Sequence, residues 1–208
     1  MEKLVKLVAY LGNASVMIPL ACGIAAWLAL SGAAGLAWRW MLRFAVACLL
    51  VAASKAAYMG WGVALPEIDY NALSGHAMLA AAVFPVLSRT MLGRMIAHPA
   101  GAAALPGLGL SVAMLAFLVH FGFHTLSEAL GGWLLGCIAS LQVIRRLPPA
   151  PHASSDPSIP VASLRWIAAA CTVIFLASGW LAHGHGKTWI EKAALHLSGR
   201  TSPIAWKR

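Results

Sequence analysis

The sequence predicts an all-α integral membrane protein with six transmembrane helices in one bundle. Of its 208 residues, 61% are hydrophobic and only 10% are charged, a composition that excludes an ordinary soluble domain. Several runs of about 20 apolar residues are long enough to cross the hydrocarbon core of a bilayer. These runs are continuous rather than alternating, which argues against a membrane β-barrel.

Six apolar stretches are the candidates for membrane-crossing helices, and short polar loops separate them. The fourth stretch contains several glycines, and the fifth carries Glu128 near its start. We expect residues 1–208 to form a single polytopic domain whose functional motifs lie within residues 50–140. By residue number, the six stretches cover roughly 8–30, 37–58, 75–93, 105–123, 125–144 and 163–183.

Six crossings would place both chain termini on one side of the membrane. The loop Met59–Leu73 and the turn near His124 would lie on that same side, which we name the site face. The loops of the opposite face are rich in arginine, so the positive-inside rule predicts that the opposite face is cytoplasmic. The site face would then be exoplasmic, and we expect an integral protein of a bacterial inner membrane. The arginines concerned are Arg39, Arg43, Arg89, Arg94, Arg145, Arg146 and Arg165.

Two segments outside the helices also bear on this orientation. Residues 145–162 are rich in proline and serine, which is typical of a flexible loop, here a cytoplasmic one. The tail 184–208 is basic and contains a short amphipathic segment, Lys187–Arg200, which we expect to lie on the membrane surface. Because the tail shares the site face, its charges favour the reverse orientation, and that alternative stays open.

The net charge of +9 does not indicate nucleic-acid binding. The basic residues are dispersed among short loops, where membrane proteins use them to set their orientation. We therefore expect these charges to lie beside the lipid bilayer, and we expect no nucleic-acid partner. The sequence carries no indication of an oligomeric state.

Three polar fragments stand at the ends of the apolar runs: Lys55, the triplet Ser74–His76, and the pair His124 and Glu128. Ionisable side chains are costly inside a bilayer, so their presence near helix ends indicates function. Two histidines, a carboxylate and a lysine are also the groups that phosphoryl transfer needs. The lysine neutralises phosphate, one histidine attacks, and the other protonates the leaving oxygen.

Each fragment taken alone also has a purely structural interpretation. Ser74 is a good helix N-cap, although the N–H groups that follow a cap attract anions. Lys55 is typical of a lysine that extends from a helix end to the membrane interface. His124 and Glu128 are four residues apart, so on one helix they can hydrogen-bond, and the carboxylate then fixes the imidazole tautomer.

His120 precedes His124 by four residues and leaves two alternatives open. A helix running straight through would align His120, His124 and Glu128 as convergent ligands, which favours a metal site. If Gly122 instead marks a turn, as we expect, His120 ends the fourth helix and faces the same cavity.

In this order, the fragments resemble the motifs of the type 2 phosphatidic acid phosphatase family of membrane lipid phosphatases. Those motifs run Lys-x6-Arg-Pro, then Pro-Ser-Gly-His, then Ser-Arg-x5-His-x3-Asp. The resemblance covers about residues 50–140, and the six-helix layout fits the remainder of the chain. The matching residues are Lys55, Ser74, Gly75, His76, His124 and, with glutamate in place of aspartate, Glu128.

The sequence departs from the family pattern at both phosphate-binding arginines. Gly62 stands where the first arginine would be, and Leu118 stands where the second would be. Leu73 also replaces the proline that would precede Ser74. A bidentate guanidinium is not easily replaced, so the phosphate pocket is expected to carry less positive charge than the family's.

The resemblance implies hydrolysis without a metal or any other cofactor. His124 would attack phosphorus, Glu128 would orient His124, and His76 would protonate the departing oxygen. The groups left to bind the phosphate are Lys55, Ser74, Gly75 and His120.

The substrate that the resemblance implies is a membrane lipid phosphate, either a phosphomonoester or a pyrophosphate, whose tail stays in the bilayer. The missing arginines favour an alternative, namely a catalytically degenerate relative that binds or transports lipid head groups. Retention of the two histidines, the lysine and the carboxylate favours the hydrolase.

Overall fold

The computed structural model describes residues 2–92, 101–147 and 185–205. This part of the chain is helical apart from its turns, and its extended structure is limited to an isolated bridge between Leu65 and Tyr70. The predicted all-α class is confirmed for these residues. The described helices are α1 (Glu2–Leu11), α2 (Ala14–Leu28), α3 (Ala34–Trp61), α4 (Gly75–Leu92), α5 (Leu105–His120), α6 (Leu126–Ile144) and α7 (His185–Ser198).

Four helical stretches in the described ranges are long and apolar enough to cross a membrane, as expected of a membrane protein. The sixth predicted crossing, 163–183, lies outside the described residues, as does most of the proline- and serine-rich loop 145–162. The four stretches are Val5–Trp61, Gly75–Leu92, Ala102–His120 and Leu126–Ile144.

The first of these stretches reverses its direction. It contains 57 residues, and a straight helix of that length would extend about 85 Å, far beyond a hydrocarbon core of about 30 Å. Gly32, with φ of 81°, interrupts the helical path between α2 and α3. A glycine adopts this left-handed conformation without steric cost. The break predicted between residues 30 and 37 falls at this turn.

After the reversal, the start of α2 and the end of α3 meet at the start of α4. A methyl group added at Gly12 would contact the His76 ring, and one added at Gly75 would contact Val51 and lie 3.7 Å from Nζ of Lys55. The turn before α2 and the end of α3 therefore flank the first turn of α4. This arrangement brings Lys55 to the fragment Ser74–His76, as the shared site face requires.

Helices α4 and α6 run in the same direction with their backbones in close contact. A Cβ atom at Gly132 would overlap the carbonyl of Ser74, and one at Gly136 would overlap the carbonyl of Met78. Small residues allow such close approach between membrane helices. The contact holds the first turns of α4 and α6 side by side.

Helix α5 ends at His120, and a tight turn separates it from α6. Gly122 has φ of 67°, and the N–H groups of Phe123 and His124 both donate to the carbonyl of Leu118. The expectation that Gly122 marks a turn is confirmed. His120 and His124 therefore lie on different elements.

The C-terminal helix α7 packs against the end of α3. The Tyr58 hydroxyl donates to the carbonyl of Ala205 at 2.9 Å, and the N–H of Ile204 donates to the carbonyl of Met59 at 3.1 Å. Ala194 of α7 is fully buried, whereas Trp189 is 72% exposed. The amphipathic character predicted for this segment is present, with its apolar side against α3 and Trp189 on its outer side.

Candidate active site

The site is built around the imidazole of His124 and the carboxylate of Glu128. Thr125 is the N-cap of α6: its side chain accepts from the N–H of Glu128, and the Glu128 side chain accepts from the N–H of Thr125. This reciprocal capping places Glu128 in the first turn of α6 with its side chain directed back towards His124. Nδ1 of His124 lies 2.8 Å from Oε2 of Glu128.

Both oxygens of the Glu128 carboxylate are engaged. Oε1 accepts from the backbone N–H of Asn71 at 3.2 Å, and Oε2 accepts from the N–H of Thr125 at 3.4 Å as well as from His124. The residue is only 4% exposed. A buried carboxylate needs such partners, and in return it holds the imidazole in one orientation. With the proton on Nδ1, the Nε2 atom of His124 carries the lone pair.

His76 faces His124 from the first turn of α4. The centroids of the two rings are 6.4 Å apart, and their planes are inclined by 51°. The bare backbone of Gly12 lies against the His76 ring, since an added methyl would be 3.3 Å from its Cδ2 atom. The two imidazoles are therefore near neighbours at the start of α4 and of α6.

Lys55 supplies positive charge beside the same helix start. Its Nζ atom lies near Gly75, and it is close enough to act electrostatically on His76. A side chain at position 75 would occupy the space over the lysine, so the glycine keeps this space open. The first N–H groups of α4 have no acceptor within their own helix, which favours an anion at this point.

Ser74 is fully buried, and its contacts are structural. Its hydroxyl accepts from the N–H of Ala77 at 3.4 Å, which makes it the cap of α4. Its own N–H donates to the carbonyl of Glu128 at 3.0 Å and joins α4 to α6. Ser74 therefore fixes the position of the helix start relative to the histidine–glutamate pair.

His120 contacts Phe121 and not the side chains of this group within the described part of the chain. It is exposed at the end of α5, with its ring edge-on to Phe121 at a centroid distance of 4.9 Å. Within the described residues it takes part in none of the hydrogen bonds that hold His124 and Glu128. The structure brings together Lys55, Ser74, Gly75, His76, His124 and Glu128 and leaves His120 at the margin.

The hypothesis of a metal bound by His120, His124 and Glu128 required one continuous helix, and the turn at Gly122 interrupts it. In the described ranges, no three histidine, cysteine or carboxylate side chains come close enough to hold a metal ion. The His124 ring is instead committed through Nδ1 to Glu128.

The sequence did not reveal several residues that hold the site in position. The Thr125 hydroxyl donates to the carbonyl of Asp69 at 2.7 Å, and Ser54 accepts from the N–H of Leu73 at 2.9 Å. These contacts fasten the loop that presents Asn71 to Glu128. The spacing of Thr125 and Glu128 is that of a capping box and was readable in the sequence. The contacts from the loop join residues about 20 to 60 positions apart and leave no local pattern.

Gly62 and Leu118, which stand where the resembling phosphatase family has its arginines, have structural roles of their own. Gly62 caps α3 in the left-handed conformation, with φ of 71°, and its N–H donates to Tyr58. Leu118 is fully buried in a cluster that includes Ala77 and Met114. An arginine would be strained at the first position and buried among apolar groups at the second.

No protein-family model matches the chain, and no solved structure matches it. A protein of Klebsiella pneumoniae, described as an uncharacterized 22.5 kDa protein in the cps region, is 30% identical to this chain over 172 residues. The match covers 81% of this chain and 78% of the Klebsiella protein. At this identity and coverage, the chain belongs to the same family as the uncharacterized 22.5 kDa protein in the cps region of Klebsiella pneumoniae.

Proposed function

We propose that the protein is a membrane lipid phosphatase that hydrolyses a lipid phosphomonoester or pyrophosphate through a phosphohistidine on His124. One observation carries the proposal: the buried Glu128 carboxylate holds Nδ1 of His124 at 2.8 Å while His76 stands opposite. This arrangement leaves one imidazole nitrogen as a nucleophile and places a second imidazole beside it as an acid.

In the first step, Nε2 of His124 attacks phosphorus and the bond from phosphorus to the lipid oxygen breaks. His76, in its protonated form, gives its proton to that departing oxygen, so the lipid leaves as an alcohol or as a shorter phosphate. Glu128 stabilises the positive charge that His124 acquires. Lys55 and the N–H groups at the start of α4 stabilise the charge on the transferring phosphoryl oxygens.

In the second step, water attacks the phosphorus of the phosphohistidine. His76, now neutral, takes a proton from this water, and the bond between Nε2 and phosphorus breaks. Inorganic phosphate leaves, and both histidines return to their starting protonation states. The two half-reactions therefore need no group beyond the residues of the site and one water molecule.

The fold family, the number of membrane crossings and the side on which the site lies are part of the same proposal. We infer a fold of the type 2 phosphatidic acid phosphatase kind, with six crossings of a bacterial inner membrane and the site on the exoplasmic face. The motif residues, the direction of α4 and α6, and the turn at Gly32 all support it. The sixth crossing would lie at 163–183, which would leave α7 on the site face where it packs against α3.

The pocket favours a phosphate group of modest charge. Gly62 and Leu118 replace the arginines of the resembling family, so Lys55 is the main cation beside the two histidines. Polyprenyl pyrophosphate, phosphatidic acid and phosphatidylglycerophosphate all carry a terminal phosphate on a lipid that can stay in the bilayer. The same replacements favour the second candidate function, in which the site binds or transports a lipid head group without turnover.

Phosphate release by the purified protein from these three lipids tests the proposal. We expect release with at least one lipid, unaffected by a chelator, and loss of release in His124→Ala. His196→Ala is the matched control, since His196 is an exposed histidine of α7 and should keep wild-type activity. Lipid binding without release would support the second candidate function. Release that the chelator abolishes would contradict both.

A further inference from the structure

Two buried donors lie on α3, far from the candidate active site. Nε1 of Trp40 and Nη1 of Arg43 are both inaccessible to solvent and have no hydrogen-bond partner within the described part of the chain. Trp40 is fully buried. The two residues are three positions apart on one helix, which makes them neighbours on its surface.

The depth of these donors sets them apart from ordinary interfacial residues. Arg43 precedes Lys55 by twelve residues, so it lies about 18 Å below the site along α3. Trp40 precedes Arg43 by three residues, so both donors lie towards the opposite face of the membrane.

Arg43 as a residue is half-buried, but its inaccessible Nη1 atom requires an acceptor, because an unsatisfied polar group in apolar surroundings is costly. Intramembrane arginines are typically paired and functional. The carboxylates of Glu67, Asp69 and Glu128 all lie at the site end of the bundle. Among the described residues, the elements at the opposite end contribute exposed Arg145 and Arg146 and no carboxylate.

We propose that Trp40 and Arg43 form a second site that binds the phosphate of an anionic phospholipid from the leaflet opposite the candidate active site. Guanidinium groups form strong charge-assisted hydrogen bonds to phosphate oxygens, and the indole N–H adds a neutral donor. Positive charge at the membrane surface, here from Arg145 and Arg146, attracts anionic lipids. This site is independent of the proposed catalysis.

Thermal unfolding of the full-length protein in neutral detergent, with added lipid, tests the proposal. Phosphatidylglycerol is the probe, because it is anionic and lacks the terminal phosphate that the active site would cleave. We expect it to raise the unfolding temperature by about 2–4 °C, whereas the net-neutral phosphatidylcholine should not. An equal rise with inorganic phosphate at the same concentration would overturn a lipid as the ligand.

Two matched variants show whether phosphatidylglycerol stabilises the protein through Arg43. Arg43→Gln should lose the rise caused by phosphatidylglycerol, whereas Arg39→Gln, which removes the same charge from an exposed position one turn away, should keep it. If Arg43→Gln does not fold, Trp40→Phe keeps an aromatic ring, removes the N–H and should reduce the rise. Equal rises in wild type, Arg43→Gln and Trp40→Phe would overturn the proposal.

The loop 145–162 contains one carboxylate that could compete as the acceptor, Asp156. If this carboxylate were the partner of Arg43, phosphatidylglycerol would not stabilise the wild-type protein. Asp156→Asn would then lower the unfolding temperature by as much as Arg43→Gln. That combination of results would also overturn the proposal.

Discussion

At the scale of single residues, the Glu128 carboxylate shows how the chain holds a charged group in an apolar helix. Its two oxygens accept from the N–H groups of Asn71 and Thr125 and from the His124 ring. These bonds replace the water that burial removes. They also restrict His124 to the tautomer that leaves Nε2 unprotonated.

The first prediction concerns the different roles proposed for His124, the nucleophile, and Glu128, the residue that positions it. His124→Ala should abolish turnover. Glu128→Gln should keep some residual activity, with a turnover rate lower than that of the wild type by a factor of about 10² to 10⁴. The reason is that the amide still hydrogen-bonds the ring but no longer stabilises its positive charge. Phosphate release measures the rates. Near-wild-type activity in His124→Ala would rule out the phosphohistidine mechanism.

Trapping the intermediate gives an independent measurement of the same prediction. Quenching at alkaline pH with lipid labelled in its phosphate should yield an acid-labile, base-stable adduct in the wild-type protein. The adduct should be absent in His124→Ala and present in His196→Ala. An adduct of unchanged yield in His124→Ala would assign the nucleophile to another residue.

The second prediction concerns the proton that we propose His76 supplies. His76→Ala should slow hydrolysis most for lipids whose departing oxygen is a poor leaving group, and least for an activated aryl phosphate. A good leaving group departs without protonation, so it does not depend on the acid. The ratio of rates for the two substrates, compared between wild type and variant, is the measurement. A uniform loss would mean that His76 binds phosphate and gives no proton.

At the scale of elements, the contact between α4 and α6 is what brings the motif fragments together. Gly132 and Gly136 place the two backbones against each other, in register with Ser74 and Met78. The hydrogen bond from Ser74 to Glu128 continues this contact to the start of α6. The distance between His76 and His124 therefore depends on residues that carry no chemistry.

The third prediction tests that dependence. Gly132→Ala should destabilise the protein by about 1–3 kcal/mol, since its methyl group would overlap the Ser74 carbonyl and force the helices apart. Gly35→Ala is the control, because nothing lies within 4 Å of a methyl group there. Thermal unfolding measures both variants. Equal stability of the two would show that the helices are not in close contact at Gly132.

Contacts between residues close in the sequence were predictable, whereas contacts between residues on different helices and loops were not. The spacing of four residues predicted the contact of His124 with Glu128, and the structure has it, although His124 precedes the N-cap of α6 and makes the contact from the turn before the helix. The contact of Lys55 with Gly75 depends instead on the packing of α3 against α4, and the bond from Asn71 depends on the fold of a loop. His120 illustrates the limit: the turn at Gly122 and the helix end at His120 were expected and are present, but whether His120 faces the cavity depends on how α5 packs, and the side chain is exposed.

At the scale of the whole molecule, the described helices present apolar surfaces long enough to cross a membrane, with the polar fragments at one end. Lys55, His76 and His124 lie at this end although they come from three different elements. The helix boundaries predicted for residues 8–144 agree with the structure to within a few residues, apart from the start of the first. Apolar runs have clear ends, whereas orientation across the membrane depends on a difference in charge between its two sides.

That orientation is the subject of the fourth prediction. In a background without the native cysteines, a cysteine at Glu67 should react with an impermeant thiol reagent in intact cells, whereas a cysteine at Ser155 should not. The positive-inside rule places the arginine-rich loops in the cytoplasm and position 67 outside. Labelling after cell lysis is the control for accessibility. Reaction at position 155 alone would reverse the topology.

The close contact of α4 and α6 also has a consequence for motion. Two backbones that touch at Gly132 and Gly136 cannot slide or tilt past each other without a clash, so we expect them to fluctuate as one rigid unit. Helix α5 is held to α4 in the same way at the end away from the candidate site, where a Cβ atom at Gly107 would overlap the carbonyl of Phe84. Helix α3 instead meets the start of α4 through side chains such as Val51. We therefore expect the pocket to open to the lipid along α3, while the wall that carries both histidines stays fixed.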